Sequence, residues 1–218
     1  MQRILIQLLF ILLLLPAAAM NTAELVNNPD AEAVLTRNCI RLGTAEILPI
    51  KFKTAVTVLN NPDLVTAVQD EFARSVSENG TVDFPVFEIG EHRYYYINEY
   101  GNRTDITELY RKQTDETTYD YIVMAGGKRK FGYYDVIIHL RITDLDDLGI
   151  LYSVKVHAWP HSWFTRTANR IGLTRSYFKN NMQFISWVAR KVAIGLCKQE
   201  EQKQALAEVH TPTALNRK

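Results

Sequence analysis

The sequence predicts an α+β domain in which a curved antiparallel sheet grips one long C-terminal helix. Two observations predict it. Between 133 and 159, apolar and polar residues alternate through two successive stretches. In the first, Tyr134, Val136, Ile138, Leu140 and Ile142 oppose Asp135, His139, Arg141 and Thr143; in the second, Ile150, Tyr152, Val154, Val156 and Ala158 oppose Ser153, Lys155 and His157. Period two sustained this long is a half-buried antiparallel hairpin. Its apolar face needs a cover, and the long amphipathic stretch nearby is 174–197, where Phe178, Met182, Ile185, Val188, Ala189, Val192 and Leu196 keep a single stripe.

The remaining elements follow in order. Asn27-Asn28-Pro29-Asp30 is a turn and helix start, and 31–38 makes two short helical turns. Over 50–59, Ile50, Phe52, Val56 and Val58 alternate with Lys51, Lys53 and Thr57, which predicts the first strand. Leu64, Val65, Val68, Phe72 and Val76 then recur at helical spacing, so a helix runs over 62–76 with Asn61 as its cap and Pro62 in its first turn. Pro85 confines 82–89 to a sheet edge or a loop. Strands are predicted over 92–100, 106–112 and 119–125, followed by a basic loop at 126–130. A short helix or loop over 161–172 leads into the long helix, and the polar tail beyond 198, which prolongs that helix for a few turns before fraying, ends in Thr211-Pro212-Thr213.

Residues 1–19 carry one positive charge at Arg3, an apolar run over 4–15, then Pro16 and three alanines. That is the layout of a secretory signal cleaved after Ala19. The run is short of the roughly 18 residues a membrane span needs, which places a retained anchor second. The division expected is therefore a signal over 1–19, an N-terminal extension over 20–49, the domain over 50–198 and a tail over 199–218. Of 25 basic and 24 acidic residues, cleavage removes Arg3 and no acid. A balanced mature chain gives no long-range attraction for nucleic acid or for an anionic membrane surface. Two cysteines occur, Cys39 and Cys197. In an oxidising compartment a minimal even count invites a disulfide between them; the alternative is two buried thiols.

Strand, helix after Asn61-Pro62-Asp63, several antiparallel strands and a long last helix resembles the START-like, polyketide-cyclase-type helix-grip superfamily (SRPBCC). The likeness is carried by Thr107-Glu108-Leu109-Tyr110 with Tyr119-Asp120-Tyr121-Ile122-Val123 as paired middle strands. Tyr134 to Arg141, the turn at 144–149 and Leu151 to Val156 stand as its last hairpin. The resemblance implies an apolar ligand, such as a lipid, sterol or polyketide, held between sheet and helix, and in some members cyclisation or dehydration there. It supplies no universal catalytic residue.

Should sheet and helix enclose a cavity, its lining is Phe52, Tyr134, Val136, Ile138, Tyr152, Val154 and Val156 from the strands with Met182, Ile185 and Ala189 from the helix. The same residues equally describe a filled core. Trp159, Trp163 and Phe164 form an unusually aromatic connection that either closes the cavity mouth as a lid, contacts a membrane surface, or packs under the last helix. His139 and His157 fall on the polar, solvent side of the hairpin with no third ligand, so no metal is expected. Asp120 and Glu108 read as strand-surface charges. Serine-nucleophile, phosphate-loop and dinucleotide patterns do not occur, and neither a catalytic residue nor a cofactor is expected. The reading is an exported protein that binds an apolar small molecule or lipid. Its rivals are an interaction protein with a solid core and a cyclase- or dehydratase-type enzyme.

Overall fold

The computed structural model describes residues 22–37, 39–83, 85–98, 100–129, 132–163, 166–167 and 173–210. The expected signal and its cleavage site, Phe164 of the expected lid and the end of the tail lie outside the described residues. Helices α1 (Thr22–Leu25) and α2 (Pro29–Thr36) precede strand β1 (Ile40–Leu48). Helices α3 (Phe52–Leu59) and α4 (Leu64–Ser75) come next. Then follow β2 (Phe87–Gly90), β3 (Arg93–Ile97), β4 (Arg103–Asp115), β5 (Thr118–Arg129), β6 (Gly132–Asp144), β7 (Ile150–Pro160) and the long α5 (Leu173–His210).

All seven strands form one antiparallel sheet in the order β1-β7-β6-β5-β4-β3-β2. Every strand from β2 to β6 pairs with its successor, and β7 pairs with β1. The one long connection carries the chain from β1 at one edge to β2 at the other, and α3 and α4 span it. This curved sheet with its long C-terminal helix is the helix-grip architecture that the alternation predicts.

The first strand sits elsewhere than expected. Residues 52–59 are helical, because Phe52, Ala55, Val56 and Leu59 recur at three- and four-residue spacing and all turn into one core cluster. Their period-two reading competes with that spacing in a short apolar run and loses to packing. The strand is Ile40–Leu48, inside the stretch assigned to an extension, so the sheet begins ten residues before the expected boundary at 50. The expected basic loop at 126–130 is strand as far as Arg129, which pairs with Gly132. The expected tail is helical as far as His210.

Directly paired residues share a face, so the register sorts the sheet into two sides. On the inner side α3 and the C-terminal half of α5 close a cluster of Leu48, Ile50, Phe52, Ala55, Tyr119, Ile142, Ile150 and Cys197. Gly149, at φ 98°, sits where the β6–β7 turn passes the end of β1, and a Cβ there would lie 2.2 Å from the Leu48 carbonyl oxygen. On the outer side Ala31 and Val34 of α2, with Val26 from the connection between α1 and α2, cover Ile122 and Ile137. The Asn28 side-chain oxygen starts α2 by accepting from the Asp30 and Ala31 backbone N–H groups.

The outer side corrects the expectation that His139 and Asp120 face water. Both are fully buried beneath the N-terminal helices. His139 Nε2 lies 2.7 Å from Asp120 Oδ1, and its Nδ1 lies 3.0 Å from the Thr22 hydroxyl. Arg141 donates from Nε and Nη2 to the two Asp120 oxygens at 2.7 and 3.0 Å, and the Thr114 hydroxyl donates at 2.6 Å. Burial alone would raise the Asp120 carboxyl, but the hydrogen bonds from His139, Arg141 and Thr114 outweigh it and hold the group well below the usual carboxylate range. A polar row can be buried here because its members satisfy one another.

Cys39 and Cys197 are free thiols, so the expected disulfide does not form. Cys39 adjoins the start of β1 on the outer side, with Sγ 3.7 Å from His157 Nδ1, whereas Cys197 packs in the inner cluster around Leu48 at the other end of that strand. Eight strand steps of about 3.3 Å separate those ends, several times the reach of a disulfide. His157 is half-buried, and its pKa is pushed down to about 4 by desolvation first and by Arg41 and Lys155 second.

Candidate functional site

The inner face carries five-residue rows running across the strands. One row joins Leu42, Val156, Ile138, Val123 and Glu108 on β1, β7, β6, β5 and β4; the next joins Thr44, Val154, Leu140, Tyr121 and Arg111. Val123, Ile138, Leu140, Val154 and Val156 are only half-buried, although they lie at the centre of the sheet. The core closes elsewhere: around α3 and α5 at the Leu48 end, and around Ile40, Tyr134 and Ala158 at the other. The middle of the inner face is therefore a shallow trough, partly open to solvent and outside the closed core clusters.

At the β1 edge the trough meets a groove of about 850 Å³ between β1 and α5, with Leu42, Thr44, Met182 and Trp187 among its walls. Arg41, Lys179 and the ion pair of Arg190 with Glu46 give this end its charge. Mixed walls of this kind suit an amphipathic molecule better than a bare hydrocarbon.

At the β4 end the trough meets a polar cluster that the alternation does not predict. The register of β4 against β5 shifts between Glu108 and Tyr110, so Leu109 is an extra residue. Strict alternation would send Glu108 and Arg111 to opposite sides; the bulge puts both on the inner one. Glu108, read from the sequence as a surface charge, has a side chain only 6% exposed. Its Oε1 lies 3.1 Å from both Arg111 Nε and His92 Nδ1, while the buried Oε2 has no hydrogen-bond partner. Arg111 also donates to the Asn61 carbonyl at 3.4 Å, tying β4 to the corner between α3 and α4. The Tyr121 hydroxyl faces the same carboxylate, and its acidity is suppressed by burial first and by the Glu108 charge second. Tyr119 donates to Asn60 Oδ1 at 2.6 Å, and burial pushes its pKa up to about 12. These phenols stay neutral donors at any physiological pH.

The expected lining residues separate into three groups. Val136, Ile138, Tyr152, Val154 and Val156 are half-buried on the inner face, and Met182 and Ala189 are half-buried on α5. Phe52 and Tyr134 are buried in core clusters, Phe52 from a helix. Ile185 is 61% exposed and lines no closed interior. Trp159 does not act as a lid: it pairs with Asp135 on the outer face, packs with the N-terminal helices and lies against the guanidinium groups of Arg37 and Arg166 at 4.9 and 5.2 Å. Trp163 is 72% exposed. Among the described residues no group of three or more His, Cys, Asp or Glu side chains is placed to hold a metal ion, and no helix is long and apolar enough to cross a membrane.

No protein-family model matches the chain, and no curated protein matches it in sequence. Solved structures resemble it in fold. A conserved protein from Geobacillus kaustophilus is 15% identical, with 72% of this chain and 94% of that one covered and a TM-score of 0.45. A hypothetical protein from Helicobacter pylori is 10% identical over 72% of this chain and 88% of its own, with a TM-score of 0.46. The di-domain ARO/CYC StfQ from the steffimycin biosynthetic pathway is 11% identical over 76% of this chain and 51% of its own, with a TM-score of 0.44. At these identities the likeness concerns the fold alone.

Proposed function

We propose that this chain is an exported protein that holds an apolar small molecule or lipid in the trough between the inner face of the sheet and α5. One observation carries the reading. The row from Leu42 to Glu108 is apolar and half-buried along its middle, opens to the groove at one end and reaches a buried acid at the other. Four strand spacings of about 4.8 Å make that row about 19 Å long. Hydrocarbon laid along it would be removed from water at about 25 cal/mol per Å² of apolar surface. The groove end offers cations and the far end hydroxyls to fix a polar head.

The test is a saturable titration with a dansyl-labelled undecanoic acid, alongside native mass spectrometry of the freshly purified protein. Wild type should bind the probe, and Ile138→Trp or Val154→Trp, which fill the trough, should abolish binding without unfolding the chain. A wild-type protein that neither binds the probe nor carries a co-purifying molecule would leave the interaction-protein reading in its place. A second reading, turnover of the bound molecule in the manner of a cyclase or dehydratase, is favoured by the inward Glu108 with its free oxygen. It requires that a co-purified ligand change mass with time in wild type and persist in Glu108→Gln.

A further inference from the structure

We propose that the outward face of α5 between Lys179 and Lys191 docks on an anionic lipid bilayer. Near-neutral overall charge conceals a strong segregation. Residues 148–199 contain eight Lys or Arg and no Asp or Glu, which leaves the rest of the chain with 17 basic against 24 acidic residues. Within that acid-free stretch α5 presents apolar side chains to water. Phe184 and Ile185 are each 61% exposed and Trp187 is 48% exposed. The Phe184 and Trp187 rings stack at 6.1 Å, and the Lys191 ammonium sits 4.7 Å from the Trp187 ring. Lys179 is exposed on the same half of the helix.

Aromatic and aliphatic side chains flanked by lysine on an exposed helix are the composition of an interfacial element, whose apolar groups sink to the headgroup boundary while the cations meet lipid phosphates. Charge complementarity selects this occupant. A second copy of the chain would set lysine against lysine, since the nearby Glu46 is already paired with Arg190. A nucleic acid would use the cations and the rings but leave Ile185 without a role. Trp187 also lines the groove, so docking here would place the groove mouth against the bilayer. That consequence alone rests on the trough reading; the docking does not.

The experiment uses the whole purified protein with sonicated vesicles of phosphatidylcholine alone or mixed equally with phosphatidylglycerol. Co-sedimentation should be at least ten-fold stronger with the mixed vesicles and should weaken in 0.5 M salt. Phe184→Ala with Ile185→Ala should lower it at least ten-fold, and Lys179→Glu with Lys191→Glu should abolish it. Both double variants should keep the wild-type melting temperature, and the Phe184/Ile185 variant, which leaves the groove cations in place, should still bind the dansyl probe. Equal binding to the two vesicle types, no binding to either, unchanged binding by the Phe184/Ile185 variant, or displacement of vesicles by a single-stranded RNA oligomer would each overturn the docking. Vesicle binding without probe binding would remove the trough reading and leave the docking. Probe binding without vesicle binding would do the reverse.

Discussion

Replacing Asp120 by alanine tests how the outer side is held. The substitution removes four hydrogen bonds at once: one from His139 Nε2, two from Arg141 and one from Thr114. What remains is an arginine facing a cavity and a buried imidazole without an acceptor. Breaking a buried, hydrogen-bonded ion pair from one side costs about 3–5 kcal/mol. In a domain of this size each kcal/mol lowers the melting temperature by about 2–4 °C, so Asp120→Ala should melt roughly 6–20 °C below wild type. Asp105→Ala is the internal control, since that carboxylate pairs with Arg103 at the surface, where the loss is about 0–1 kcal/mol. Calorimetry at neutral pH measures both. Acid titration adds a signature. The folded carboxyl is held below its unfolded value, so its stabilisation is complete above about pH 4 and is lost as the pH falls further. The difference between wild type and Asp120→Ala should shrink over that acid range. An Asp120→Ala protein melting within about 2 °C of wild type would refute the account of a buried row held together by its own bonds.

Other expectations are more local. Thr22→Val leaves the His139 Nδ1 without its hydroxyl, so it should cost about 1–3 kcal/mol and speed amide exchange in α1 and α2 ahead of the sheet. A Cβ at Gly195 would lie 1.9 Å from Oε1 of the buried Glu71, which is bonded to Arg74 and Gln199; Gly195→Ala should therefore force α4 and α5 apart and destabilise by about 1–3 kcal/mol in urea unfolding. The His157 imidazole should titrate by NMR near pH 4. Because its folded pKa lies below the unfolded 6.5, the stability it contributes is full above that value and declines as the pH falls from 6.5 toward 4. Alkylation of denatured, unreduced protein should label two thiols. In the native state Cys197, its pKa pushed up to about 12 chiefly by burial, should resist the reagent.

Much of the architecture was legible because β6 and β7 hold strict alternation. Alternation leaves His139 opposite Lys155 or Ser153 and His157 opposite Ile137 or Asp135; the register of the structure selects Lys155 and Ile137. It misled wherever a second constraint acted. Asp120, His139 and Arg141 look solvated as a polar row, yet Ile122 and Ile137 on the same side were a sign that this side is covered too. Glu108 and Arg111 became neighbours on the inner face only through an inserted Leu109, and no composition rule reveals a bulge. In β1 the inward positions include Thr44 and Glu46, so the strand lacks a continuous apolar face; its polar side chains serve the groove. The aromatic stretch around Trp159 divided according to strand parity, with Trp159 on the outer face while Trp163, past the strand end, is left exposed.

The pairing of β1 with β7 sets the order in which the molecule can assemble. Cys39 and His157, which meet across that ladder, are 118 positions apart, and joining ends at such a separation costs about 4 kcal/mol in chain entropy before any contact repays it. Strands β2 to β7 need no such closure, since from β3 onward each pairs with the one made just before it. The meander can therefore form while the first strand waits, and nascent chains stopped short of residue 150 lack the strand with which it pairs.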